Sequence, residues 1–215
     1  MLTLPGYKLI QEIHSGINTV IYRGQRELDN QQVIIKFLKS EYPTLSECAR
    51  LKHEYEINNF LDSAGVVQAY SLENYQNHLA IIFEDFGGES LKNYISCRKL
   101  KILKFLKIAT ILANTLAYVH QNNIIHKDIK PSNIIINPET EIVKITDFAI
   151  ASRLSKENHK ISTADLLEGT LAYMSPEQTG RMNRSIDYRT DFYSLGITFY
   201  ELLTGNLPFS ATEPM

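Results

Sequence analysis

The stretch Ile125-His126-Lys127-Asp128-Ile129-Lys130-Pro131-Ser132-Asn133 gathers groups able to act on a phosphate: a carboxylate, an ammonium group close behind it and a carboxamide. Downstream, Asp147-Phe148-Ala149 offers a second carboxylate, followed by Gly169-Thr170 and Ser175-Pro176-Glu177. Upstream, Val33-Ile34-Ile35-Lys36 sets another ammonium group in an apolar run. A carboxylate can orient a hydroxyl and take its proton. A cation beside it can neutralise charge that develops on a moving phosphoryl group. Mg²⁺ takes oxygen ligands and keeps several waters, which suits Asp and Asn side chains. Singly, each piece is ordinary. An Asp-Phe-Ala is usually a turn after a strand, a lysine in Val-Ile-Ile-Lys an edge charge on a solvated strand, and a histidine such as His126 a satisfied structural residue. The signal lies in their order and separations.

These groups need elements to position them. The patterns at Tyr7 to Ile13, Val20 to Arg26 and Gln32 to Leu38 predict a meander of strands, rich in Val, Ile and Tyr and split by polar or Gly-containing stretches. From Leu45 to Leu61 the spacing predicts a helix with Leu51, Tyr55, Asn58 and Leu61 on one side. Val66 to Leu72 and Leu79 to Glu84 read as two more strands. Phe86-Gly87-Gly88 is the clearest breaker and marks a boundary between two lobes. Beyond it the chain reads as mainly helical. Lys101 to Gln121 carries one apolar stripe of Phe105, Ala109, Leu112, Leu116 and Val119. Phe192, Leu195, Phe199 and Leu202 repeat the pattern, and Ile134 to Ile136 with Val143 to Ile145 predicts a short hairpin.

Composition bounds the function classes. A chain of 215 residues fits one large domain or two small lobes. With 44% hydrophobic and 21% charged residues it has material for a core. Twenty-two Lys and Arg against 24 Asp and Glu, a net charge of -2, argue against a general nucleic-acid binder. Cys48 and Cys97 are too few for a disulfide framework and are not in CxxC spacing, so two reduced thiols are expected. Met1-Leu2-Thr3-Leu4-Pro5-Gly6 does not open a signal peptide. Apolar runs such as Leu79 to Phe83 and Ile134 to Ile136 are too short to span a bilayer. A cytoplasmic chain without membrane insertion is expected.

Taken in order, these motifs resemble the signature set of a eukaryotic-like Ser/Thr protein kinase domain of bacterial type, from about Tyr7 to Phe209. The wording from Gly169 to Gly196 is similar to the N-terminal kinase module of large hybrid sensor proteins. The resemblance implies an α+β bilobal protein-kinase fold. A five-stranded antiparallel N-lobe with one helix is expected over 1–84, a hinge over 85–88 and a mainly helical C-lobe over 89–215. It also implies ATP and Mg²⁺, a protein substrate presenting Ser or Thr, a role in bacterial signal transduction, and downstream sensor or ATPase domains in a longer parent protein. By the family's pattern Asp128 orients the attacking hydroxyl, Lys130 neutralises charge, and Thr170 bridges the two. Asn133 and Asp147 match the metal-holding positions. Lys36 matches the lysine on the inner phosphates; Glu54 fits best as its carboxylate partner and Glu56 is the fallback. The base is expected between the lobes. Ile13 and Gly16 belong to the glycine loop, Ile21 and Ile34 to the roof and Ile135 to the floor. Backbone groups of Glu84 and Phe86 line the connection, with Phe83 at the gate.

Several departures bear on activity. His14 and Thr19 stand where the family's loop has glycine, which lets backbone N–H groups approach phosphate. Ile34 replaces a small alanine and narrows the base slot. Lys127 replaces an arginine whose bidentate fork receives an activation-segment phosphate, so control through Ser162 or Thr163 is less supported. Ala149 replaces a glycine, and alanine disfavours positive φ, which restricts flipping of that segment. Glu177 matches a carboxylate that pairs with an arginine from a later helix. The C-lobe is expected to be C-terminally truncated at Met215, its last helix partly uncovered, and the chain by itself poorly stable and weakly active. The alternative function is a pseudokinase-like or truncated fragment acting as a binding or regulatory module. A small-molecule phosphotransferase is a third class, opposed by the Gly-Thr and Ser-Pro-Glu elements.

Overall fold

Residues 3–76, 78–96, 98–153, 171–180 and 184–209 are described by a computed structural model. The chain divides into two units, Met1–Gly87 and Gly88–Met215.

In the first unit five strands form one antiparallel sheet in the order β1-β2-β3-β5-β4: β1 Tyr7–Ser15, β2 Thr19–Arg26, β3 Gln32–Leu38, β4 Ala69–Tyr75 and β5 His78–Glu84. Side chains alternate between faces along each strand. One face therefore carries the core cluster of Val20, Val33, Ile35, Phe37, Ala80 and Ile82, joined by Leu4. The other face carries Ile21, Ile34, Lys36, Ile81 and Phe83, which the strand register sets beside one another. Gly24 is required in β2: a Cβ there would lie 2.8 Å from Lys8 O and 3.0 Å from Ile35 Cδ1. β4 starts and ends later than its sequence pattern suggested. Val66 and Val67 are buried, but in the segment leading to the strand.

Helix α1 spans Leu45–Phe60. Its start is fixed locally by a capping box: Glu47 N donates to the Thr44 hydroxyl at 3.2 Å and Thr44 N to the Glu47 carboxylate at 2.8 Å. The buried face is Leu51, Glu54, Ile57 and Asn58, whereas Tyr55 is only partly buried. The expected apolar stripe is thus rotated, because the helix turns an acid inward toward a lysine.

The second unit holds β6 Glu89–Ser90, α2 Leu91–Ser96, α3 Ile102–Gln121, β7 Ile124–Ile125, β8 Ile134–Ile136, β9 Val143–Ile145, β10 Ser152–Arg153 and α4 Arg189–Thr204. β6, β8 and β9 form one small sheet and β10 pairs with β7. α3 buries Phe105, Ile108, Leu112, Thr115, Leu116 and Val119 against β7, β9 and α4. Ile108 takes the central place expected for Ala109, which is half-buried. Among the described residues α3 is the one helix long and apolar enough to cross a membrane by length and composition. Uninterrupted apolar runs do not reveal it, because charged and polar residues punctuate the helix. One third of that stretch is buried, while Ile102, Leu103 and Leu106 are exposed near Lys104 and Lys107, which pair with Glu141.

α4 buries Thr190, Asp191, Ser194, Leu195, Ile197, Thr198 and Leu202. Phe192, expected in the apolar stripe, is 50% exposed. The helix instead turns small and polar side chains inward, and Ser194 Oγ donates to Tyr173 O at 2.8 Å. α4 ends at Gly205, whose φ of 76° is the left-handed cap that glycine adopts without strain.

Candidate active site

In the first unit, Lys36 Nζ donates to both carboxylate oxygens of Glu54, at 2.8 and 2.7 Å, and both side chains are buried. Strand β3 presents the lysine and the rotated face of α1 presents the acid. Glu56 lies on the exposed side. Ile21 and Ile34 flank the lysine on the same sheet face and are half-buried; Phe83 pairs with Ile34 and is buried.

The β1–β2 turn is closed by Gly16 N donating to Thr19 O at 2.9 Å. A Cβ at Gly16 would meet only ordinary contacts, the nearest at 3.5 Å to His14 Nε2 and Thr19 O. Ile13 is exposed on β1. At the end of β5, Glu84 N donates to Gln68 O at 3.0 Å and the Glu84 carboxylate accepts from Gln68 N at 2.7 Å. Asp85 accepts from Arg23 Nε at 2.6 Å and from Gly87 N at 2.8 Å, so the chain on either side of Phe86 is tied down by side chains. The sequence reading gave Arg23 and Asp85 no part.

In the second unit the loop after β7 holds Asp128, Lys130 and Asn133. A 3-10 turn at Pro131–Asn133, opened by proline in the position that needs no donor, turns Asn133 back onto Asp128. Asp128 Oδ2 accepts from Lys130 Nζ at 2.7 Å and from Asn133 Nδ2 at 2.8 Å; the same Nδ2 donates to Asp128 O at 2.9 Å. Asp128 Oδ1 is buried with no hydrogen-bond partner among the described residues. Burial raises the Asp128 carboxyl above its ordinary value of 3.8, with the charge of Lys130 opposing the effect and that of Asp147 adding to it.

His126 is a structural residue. Its Nδ1 accepts from Asp128 N at 3.2 Å, which leaves Nε2 to donate to Thr146 O at 3.1 Å, and its ring packs 4.6 Å from that of Phe148. Asp147 lies just beyond, at φ 69°. The left-handed position of this segment is therefore Asp147, and Ala149 is not among the positive-φ residues.

Asp191 was missed by the sequence reading, which followed the apolar residues around it. It is fully buried, accepting from His126 N at 2.8 Å and Lys127 N at 2.7 Å, and lies 2.8 Å from His120 Nε2. Gln178 was also missed; its Nε2 donates to Lys127 O at 2.9 Å. Glu177 accepts from the Thr190 hydroxyl at 2.8 Å. Ile135 is half-buried in the middle of β8. Thr170, Ser162 and Thr163 lie outside the described residues.

Among the described residues no group of three His, Cys, Asp or Glu side chains is placed to hold a metal. The donors present are the Asp147 carboxylate and the Asn133 amide oxygen, the latter directed away from Asp128 by the two bonds of its nitrogen. That set fits Mg²⁺, which is held through one or two protein oxygens together with phosphate and water.

A family model described as "Protein kinase domain" matches residues 7–215. A probable serine/threonine-protein kinase of Clostridium acetobutylicum is 35% identical over 97% of this chain and 31% of its own length. The serine/threonine-protein kinase PrkC of Bacillus subtilis is 33% identical over 94% of the chain and 31% of its length. Serine/threonine-protein kinase A of Synechocystis is 33% identical over 94% of the chain and 41% of its length. The chain thus spans less than half the length of these curated relatives.

Proposed function

Starting from the protein kinase domain family, to which this chain belongs, we propose that it transfers the γ-phosphoryl group of ATP to a serine or threonine hydroxyl of a protein in bacterial signalling. Asp128 Oδ1 takes the proton of the attacking hydroxyl. The hydroxyl oxygen bonds to the γ-phosphorus, the bond from that phosphorus to the bridging oxygen breaks, and ADP departs. The transition state spreads charge over the phosphoryl oxygens, so positioning and charge stabilisation do most of the catalysis. Lys130 meets that charge beside Asp128. Lys36, held by Glu54, takes the inner phosphates. Asn133 and Asp147 would hold Mg²⁺, which when bound neutralises phosphate charge. Backbone groups of Glu84 and Phe86 hold the base, with Ile13, Gly16, Ile21, Ile34 and Ile135 around the nucleotide, and Thr170 steadies Asp128 and Lys130. The reaction takes place in the cytoplasm, within a longer parent protein.

The observation that carries this reading is the division of labour within one carboxylate. Asp128 Oδ2 is saturated by Lys130 and Asn133, while Oδ1 is buried and has no hydrogen-bond partner among the described residues. A buried acceptor without a donor is unfavourable unless a ligand supplies one. A hydroxyl proton is such a donor. Radiolabelled ATP with a generic protein acceptor tests the reading: transfer is expected with the wild-type protein and should fall on the order of a hundred-fold or more in Asp128→Asn. Nucleotide binding without transfer would favour a binding module instead.

A further inference from the structure

We propose that Gln178 is a positioning residue for Asp128, acting through the peptide bond between Lys127 and Asp128; this rests on Asp128 being the group that takes the hydroxyl proton. Lys127 has φ 69°, in the left-handed region that lysine rarely adopts. Such a conformation persists only when the surroundings over-determine it. Two buried side chains do so. The Lys127 N–H donates to Asp191 Oδ1 at 2.7 Å, and the Lys127 carbonyl accepts from Gln178 Nε2 at 2.9 Å. That carbonyl belongs to the peptide plane that leads into Asp128. The nitrogen of the same plane, Asp128 N, donates to His126 Nδ1 at 3.2 Å. The plane is therefore held at both ends, by Gln178 at its oxygen and by His126 at its hydrogen. Swinging it would carry the Asp128 carboxylate away from its place. Misplacement of a reacting group by about 1 Å can cost on the order of a hundred-fold in rate.

The orientation of the Gln178 amide is fixed by its other end. Its Oε1 accepts from Ser175 N and Ser175 Oγ, both at 3.1 Å, in a capping box that opens the 3-10 turn at Pro176–Thr179. A flipped amide would set oxygen against the Lys127 carbonyl and NH₂ against the Ser175 N–H. The capping box alone needs only the oxygen, and glutamate serves equally well there. Glutamine adds the one thing glutamate lacks, a donor for the Lys127 carbonyl.

The test separates the two ends of the side chain in the whole protein. Gln178→Glu keeps the cap and removes the donor; Gln178→Met removes both; Ser175→Ala weakens the cap and leaves the donor. Gln178→Glu and Gln178→Met should each lower kcat tenfold or more with the KM for ATP within twofold. Ser175→Ala should leave kcat within twofold. Hydrogen exchange at the Asp128 amide should quicken at least tenfold in Gln178→Glu and not in Ser175→Ala. Wild-type kcat or unchanged exchange in Gln178→Glu overturns the inference, as does a parallel loss of kcat and melting temperature in Gln178→Glu and Ser175→Ala. If the wild-type protein shows no Asp128-dependent transfer, the functional reading fails instead, and the exchange measurement still decides whether Gln178 holds the peptide.

Discussion

Lys36 Nζ lies within hydrogen-bond distance of both carboxylate oxygens of Glu54, and neither residue has appreciable access to water. Removing one partner of a buried pair strands the other charge, which typically costs about 3–5 kcal/mol, whereas replacing both with apolar groups is often neutral. Lys36→Met and Glu54→Met should therefore each destabilise the first unit by about that amount, and the double variant by less than either. Urea denaturation provides the comparison. If the double variant loses the sum of the two, the pair is not the coupled unit described.

Asp128→Asn should lower phosphoryl transfer on the order of a hundred-fold or more, the scale of a positioned acid–base group. ATP affinity should stay near wild type, while Asp147→Asn should weaken Mg²⁺-dependent binding. Equal losses of binding in both variants would remove the distinction.

The raised Asp128 carboxyl sets a pH dependence with a definite sign. The folded protein holds this proton more tightly than the unfolded chain, so this group's stabilising contribution is present at low pH. It is lost as pH rises from the ordinary 3.8 through the raised folded value. Asp128→Asn should abolish that part of the slope. Transfer requires the ionised carboxylate, so kcat/KM, which reports the free enzyme, should rise with pH through the same raised value. An acid limb centred at or below 3.8 would contradict the assignment.

Gly24→Ala should destabilise the first unit by about 1–3 kcal/mol, the usual cost of overpacking. The added methyl meets backbone at Lys8 O and the packed Ile35. Gly16→Ala meets only ordinary contacts and should melt within a degree or two of wild type. Thermal melts of the two variants settle the contrast; equal shifts would refute it.

Asp191→Ala should cost about 1–3 kcal/mol for each backbone N–H it leaves unpaired, at His126 and Lys127. Asp191→Asn keeps one acceptor and should fall between. A melting temperature unchanged in Asp191→Ala would show that water replaces the carboxylate.

Much of this was legible in the sequence because strands and long helices announce themselves through local periodicity. β1, β2, β3, β5, α3 and the β8–β9 hairpin came from that signal alone. The reading went astray where a buried position is polar. In α1 Glu54 faces Lys36 as the resemblance implied, but the apolar count also set Tyr55 on the buried side, where it is only partly buried. In α4 the same count chose Phe192 and overlooked Asp191, whose role depends on backbone groups far away in sequence. Gly16 drew notice from its loop, whereas the close approach at Gly24 depends on β1 and β3 lying on either side. Arg23, Asp85 and Gln178 act through single tertiary hydrogen bonds, which leave no periodic trace.

The bonds from His126 and Lys127 to Asp191 join positions 65 and 64 residues apart. The first unit's sheet, by contrast, closes mostly between strands that are near neighbours in sequence. Domains emerge from the ribosome N-terminal end first, and distant pairings form late because loop closure opposes them. The sheet bearing Lys36 can thus be complete while the segment with Asp128 still waits for α4 to be synthesised. Until Asp191 arrives, the nascent chain has a finished first unit and an unanchored Asp128 loop, and the last described helix completes that loop's support.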